Sequence, residues 1–236
     1  MKITNGWRSV LFLLVIAGCL QFIVVSMVAM SFYPGGTYSD NSTAGYAFPQ
    51  NFFSDLGRTA AHDGASNTTS MVLFIITVCL SGLALIVFFS AVPPHFAENH
   101  TARRFSIAGS IMGVIAGLSY IGIAATPADV STTLHGRFVY TAFAGFLLVV
   151  VCYSTAILKS RAYPRAYAFA YFAFAAILAV YLVVLYNAPD IKTTRGLTIQ
   201  AVGQKIVVYT GIICMVIQSY GAYQVERRRL SQSGEG

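Results

Sequence analysis

Six long apolar runs alternate with short polar segments along the chain, at about residues 8–32, 70–93, 105–126, 137–158, 166–187 and 205–224. A helix needs ~20 mostly apolar residues to cross the hydrocarbon core of a bilayer. Each run meets that length, and none carries a charge in its middle. The pattern predicts an all-α, polytopic integral membrane bundle of six transmembrane helices, in a single domain over 1–236. The connecting segments "PPHFAENHTARR" and "KSRAYPR" are short, so neighbouring spans run antiparallel. The start "MKITNGWRSVLFLLVIAGC" contains a lipobox-like Ile16-Ala17-Gly18-Cys19. Its apolar run nevertheless continues through Phe32, well past the ~7–15 residues of a signal peptide, so an uncleaved first span is expected.

Composition agrees with the pattern. Apolar residues make up 56% of the 236, and charged residues only 10%. The mean hydropathy is +0.68. A soluble domain carries about 25% charge, so lipid is the expected solvent here. The net charge of +7 does not point to nucleic acid, because the bases are distributed as a topology signal. Lys2, Arg8, Arg103, Arg104, Lys159, Arg161, Arg165, Arg227, Arg228 and Arg229 fall on the side of the N-terminus. Only Arg58, Arg137, Lys192, Arg195 and Lys205 fall on the other. Cytoplasmic loops collect Lys and Arg. Both termini are therefore expected in the cytoplasm, in a multi-pass protein of the cell membrane with membrane lipids as its partners. The basic "ERRRL" tail suits anionic headgroups. The four cysteines lie one each in four spans and carry no redox information.

The longest polar segment, about 33–69, opens with "YPGGTYSDNSTAGY", a turn-rich composition. "AFPQNFFSDLG" follows and predicts a short helix. Asn51 would cap it, Phe52, Phe53 and Leu56 would form its apolar face, and Gly57 would end it in a left-handed C-cap. Ser54, Asp55 and Arg58 would then face the protein. In the third span, Gly109, Gly113 and Gly117 repeat every fourth residue and predict a close packing seam. Tyr163, Tyr167, Tyr171 and Phe174 recur at helical spacing around the fifth span and predict packing.

Mid-span there is no Asp, Glu or Lys for a proton relay, which argues against a proton-coupled pump. No span has two histidines for paired haem ligation, and no cofactor is expected. At the outer face the chemistry is richer. Ser54, Asp55 and His135 supply the residue types of a nucleophile with its base. A catalytic zinc wants three protein ligands, whereas only His62 and His135 lie on this side. In the competing reading, Asp55 pairs with Arg58 or Arg137 and pins the loop to the bundle, as a partly buried charge requires.

The "NFFSDLGR…N" block before the second span, and "ATP…H" running into the fourth, resemble a six-span family known only as a numbered domain of unknown function (nine-nine-eight). Ser54, Asp55, Leu56, Gly57, Pro127 and His135 match its pattern, and Asn67 matches an Asn entering the second span. The block is also distantly similar to that of damage-regulated autophagy modulator and GPI-lipid-remodelling membrane proteins, which have Thr where this chain has Leu56. A fainter similarity, to intramembrane metal hydrolases such as alkaline ceramidases, lacks the several histidines those enzymes need. The resemblance implies lipid handling. Ser54, Asp55 and His135 are then the catalytic candidates, and Gly57, Arg58, Asn67 and Arg137 the structural or ligand-binding ones. Two functions are expected from these residues. One is binding or organising membrane lipid through a polar site at the outer face. The other is lipid hydrolysis or acyl transfer by Ser54, Asp55 and His135.

Overall fold

The computed structural model describes residues 6–232 and 234; Lys2, counted above among the bases of the N-terminal side, lies outside them. Six helices form: α1 (Trp7–Ser31), α2 (Thr68–Ala91), α3 (His100–Ala125), α4 (Thr132–Lys159), α5 (Ala166–Asn187) and α6 (Thr194–Gln232). All six are long and apolar enough to cross a membrane. Among the described residues there are no strands, only isolated bridges such as Gly35 with Ala44 in the long loop. Short 3-10 turns at Phe53–Gly57 and Pro93–Phe96 complete the order. The expected all-α six-span bundle is the observed one. The sixth helix is the longest, 39 residues against the expected 205–224, because Thr194–Gln204 adds turns on the long-loop side and Val225–Gln232 continues past the apolar run.

Each helix packs on its neighbour in sequence, and α6 returns to α1 to close a ring. Between lipid-solvated helices there is no hydrophobic drive to associate, so close van der Waals packing has to supply the contact. The α3 glycines provide it. A Cβ on Gly109 would sit 2.7 Å from the Tyr153 ring of α4, and one on Gly113 2.2 Å from the Phe89 ring of α2. Gly117 and Gly82 face each other so closely that a Cβ on either would meet the other's carbonyl oxygen, at 2.7 and 2.6 Å. The expected seam is therefore a set of sockets, two of them filled by aromatic rings.

The half of the ring nearer the termini is plugged by aromatic side chains. Tyr153, Tyr171 and Phe96 are buried there, and Tyr163 stacks on Phe96 at 5.3 Å. The tyrosine run around α5 is packing, as expected. Several polar groups in this half are paired, although the Tyr171 hydroxyl and Ser154 Oγ are buried without a partner among the described residues. Ser110 Oγ lies 2.7 Å from the Tyr153 hydroxyl. His95 meets Val92 O at 3.1 Å and Glu226 Oε2 at 2.8 Å with its two ring nitrogens. The ring thus links the turn after α2 to the carboxyl group of α6. At mid-height Gln21 joins α1 to α2: it accepts from Thr77 Oγ1 at 2.8 Å and donates to Thr77 O at 3.1 Å.

Candidate functional site

The long loop folds into a compact cap over the opposite end of the ring. Gly36 takes φ +82°, a left-handed conformation that favours glycine, and a Cβ there would lie 2.4 Å from the Asp63 nitrogen. That close pass brings the 62–63 segment across the start of the loop.

Asp55 sits inside the cap and is 1% exposed. Its Oδ2 accepts from the Phe52 N–H at 2.8 Å and from Asn51 Nδ2 at 3.1 Å. Its Oδ1 accepts from His62 Nε2 at 3.2 Å. The expected pairing with Arg58 or Arg137 is not formed. Arg58 bends back to donate to Ala60 O at 3.0 Å and lies over the Tyr38 ring. Arg137 is exposed on α4. It follows His135 by two positions, and residues so spaced do not share a helix face.

Asn51 does not cap the 3-10 turn, whose N-cap position is Phe52. Its side chain instead accepts from Ala47 N at 2.9 Å and donates to Gly36 O at 3.0 Å as well as to Asp55. Its backbone carbonyl accepts from Lys205 Nζ. Lys205 is 2% exposed, with the Tyr46, Phe48 and Phe53 rings 5.4, 5.0 and 5.4 Å from its ammonium. These are cation–π distances. One residue thus holds two buried ionisable side chains, Asp55 and Lys205. Gln204 next to it accepts from Phe53 N at 2.9 Å, so α6 grips the cap at two successive side chains.

Gly57 does end the 3-10 turn, but not in a left-handed conformation, since it is absent from the positive-φ glycines. A Cβ there would lie 2.4 Å from the Phe74 ring. It is glycine so that α2 can press against the cap. Asn67, 1% exposed, gathers the carbonyls that the turn leaves unpaired, donating to Leu56 O at 3.0 Å and Arg58 O at 2.9 Å. Ser70 Oγ adds a bond to Leu56 O at 3.2 Å. Asp129, from the α3–α4 loop, accepts from Thr59 Oγ1 at 2.6 Å and from Ala60 N at 3.1 Å. Partial burial raises its carboxyl, but the Thr59 hydroxyl and the loop N–H groups outweigh that and hold it below its usual value. Burial pushes the Tyr33 phenol above its ordinary range despite the bond it accepts from the His62 N–H, and burial does the same to Tyr46. Both stay protonated, and Tyr46 donates to Asn51 O and Phe52 O at 3.1 Å each.

Beneath the cap lies a cavity. Ser54, His135 and Gln204 line its upper chamber together with apolar residues of α1, α2, α3, α4 and α6. Phe22, Tyr120, Phe143 and Val208 line this chamber and also a lower one, which all six helices enclose. Each chamber has a volume of about 60 Å³, against the ~15 Å³ that holds one water. His135 is 7% exposed. Its Nδ1 is 2.7 Å from Thr126 O, an acceptor, so Nδ1 carries the hydrogen and Nε2 of the neutral ring is an acceptor. That Nε2 is buried and has no partner among the described residues. Ser54 Oγ makes no hydrogen bond there either, and the two side chains line the same chamber without bonding to each other. Asp55 is bonded to neither of them, since its carboxylate is taken up by the cap.

The structure therefore divides the candidates. Ser54 and His135 share a cavity. Asp55, Gly57 and Asn67 build the cap above it. Arg58 is bonded within the cap but not to Asp55, and Arg137 is exposed on α4. Gln204 and Lys205 escape a reading of the sequence because the sixth apolar run begins at Lys205, which makes both look like residues of an exposed mouth. Their signal is the helix-compatible "TRGLTIQAVGQK" before that run, which carries the helix outward to Thr194 and leaves Lys205 three turns inside it.

Fold and composition define a multi-pass integral membrane protein of six spans. No protein-family profile matches this chain, and no curated protein or solved structure is significantly similar to it.

Proposed function

We propose that the protein binds a membrane lipid in the cavity under the cap, with the polar end at Ser54, His135 and Gln204 and the tail in the lower chamber. One observation carries this reading: His135, whose Nε2 is buried and without a partner among the described residues, lines a mostly apolar cavity with Ser54 and Gln204, above a second chamber that shares part of its wall. A buried polar atom without a partner is costly, and a ligand's polar end supplies the partner. In this reading the cap is the rigid roof of the site. The proposed orientation, with both termini cytoplasmic, puts the polar end at the outer leaflet. The likeness of the Ser54–Gly57 block to lipid-handling six-span families agrees with it.

The test is mass spectrometry of lipids extracted from the purified protein and from Val208→Trp, which blocks the junction of the chambers. A species enriched over the bulk membrane in the parent and depleted in the variant supports binding. Identical bulk-like profiles refute it.

A second reading has its own support. The Thr126 bond fixes His135 in the tautomer of a general base, and Ser54 shares its chamber. Acyl transfer or hydrolysis would then use Ser54 and His135, with Asp55 holding the roof rather than completing a triad. Loss of ester turnover in a Ser54→Ala variant that melts as the parent does would support catalysis. No turnover by the parent enzyme on any long-chain ester would remove this reading.

A further inference from the structure

Resting on the lipid-binding reading, we infer that the ligand is a neutral, single-chain amphiphile with a free hydroxyl, of the monoacylglycerol or long-chain alcohol class. The first argument is charge. Among the described residues no Asp, Glu, Lys or Arg lines either chamber. The nearest buried cation on α6, Lys205, is engaged by the Asn51 carbonyl and its aromatic cage. A phosphodiester or carboxylate in the upper chamber would be buried with no counter-charge, which burial penalises heavily.

The second argument is hydrogen-bond polarity. The unpartnered His135 Nε2 is an acceptor, so the ligand must donate to it. An ester or ether oxygen cannot do that, whereas a hydroxyl can. The Ser54 hydroxyl, also without a protein partner, either donates to that hydroxyl or accepts from a second one.

The third argument is size. The two chambers share Phe22, Tyr120, Phe143 and Val208 and measure only about 60 Å³ each, a small space that favours one chain over two. From Gln204 in the upper chamber to Met215 in the lower one, α6 rises about 16 Å. That is close to half of the ~30 Å hydrocarbon thickness. The pair of chambers therefore has the reach of one acyl chain in one leaflet.

The test uses a monoacylglycerol carrying a photoreactive diazirine in its chain, added to the purified full-length protein, with labelled residues mapped by peptide mass spectrometry. Labelling is expected on chamber residues such as Cys19 or Tyr120. Excess unlabelled monoacylglycerol or long-chain alcohol should suppress it about tenfold more effectively than the fatty acid methyl ester of equal chain length, the loss expected for one buried hydrogen bond. Diacyl phosphatidylglycerol and the fatty acid anion should compete poorly. His135→Phe should reduce labelling by about the same factor, while Gly136→Ala should not change it. The competition series uses the parent protein, so it stands even where His135→Phe does not fold. Equal competition by the methyl ester, or best competition by phosphatidylglycerol or the fatty acid anion, overturns the ligand class and leaves the cavity a lipid site. Labelling confined to the outer helix surfaces, blocked by no competitor, overturns both.

Discussion

The Asp55 carboxylate meets the His62 ring at 3.2 Å, within a single loop and with both side chains nearly sealed from solvent. The cap is thus closed on itself by a local pair rather than tied to the bundle by an arginine. Removing one partner of a buried hydrogen bond leaves the other unsatisfied, which costs about 1–3 kcal/mol. Asp55→Asn and His62→Gln should each lower the melting temperature, and the double variant should lose less than the sum. Arg58→Gln and Arg137→Gln should combine additively with Asp55→Asn. Non-additivity with either arginine would place the pair where the structure does not.

Six spans were legible in the sequence because apolar runs of bilayer length, in a chain with so few charges, can be solvated only by lipid. The ends of the helices were less legible. Thr194–Gln204 is polar enough to resemble a loop, and only its helix-compatible composition hints that it forms the outer turns of α6. The importance of the Ser54–Gly57 block was legible, but its internal division was not. Ser54 and Asp55 are adjacent in the chain, yet a 3-10 turn sends one side chain to the cavity and the other into the cap. The need for glycine at position 57 was legible, but its cause was not: the ring of Phe74, distant in sequence, excludes a side chain there. His62 gave no signal of its own, since nothing in the sequence says that a loop histidine will fold back seven residues.

Packing at the α3 seam makes a sharp contrast with a neighbouring helix. Gly113→Ala puts a methyl 2.2 Å from the Phe89 ring, and overpacking of this kind costs about 1–3 kcal/mol. A Cβ on Gly136 of α4 meets nothing within 4 Å. Thermal denaturation in detergent should show Gly113→Ala clearly destabilised and Gly136→Ala at or above the parent. Equal melting temperatures would mean that α3 is not seated as described.

Acid should loosen the cap through Asp129. Its folded carboxyl lies below the ordinary aspartate value of 3.8, so its contribution is present above that pH and is lost as pH falls through the folded value. Asp129→Asn should therefore be less stable than the parent at neutral pH, with the gap closing below about pH 4. A gap that stays constant to pH 3 would show that the carboxylate charge contributes nothing.

Orientation is testable with cysteines placed at exposed serines on the two faces. Ser66→Cys lies on the cap and Ser231→Cys at the far end of α6. A membrane-impermeant maleimide applied to intact cells should label the first and spare the second. The opposite pattern would turn the cavity mouth toward the cytoplasm and reverse the leaflet from which a lipid enters.

One lipid molecule per chain is the occupancy proposed for the cavity under the cap. Native mass spectrometry of the protein released from detergent tests it most directly. The parent should retain a single adduct of lipid mass per chain, and Val208→Trp, checked for an unchanged melting temperature, should appear as the bare polypeptide. A parent chain that emerges bare under gentle activation, or an adduct kept equally by both proteins, would contradict the account.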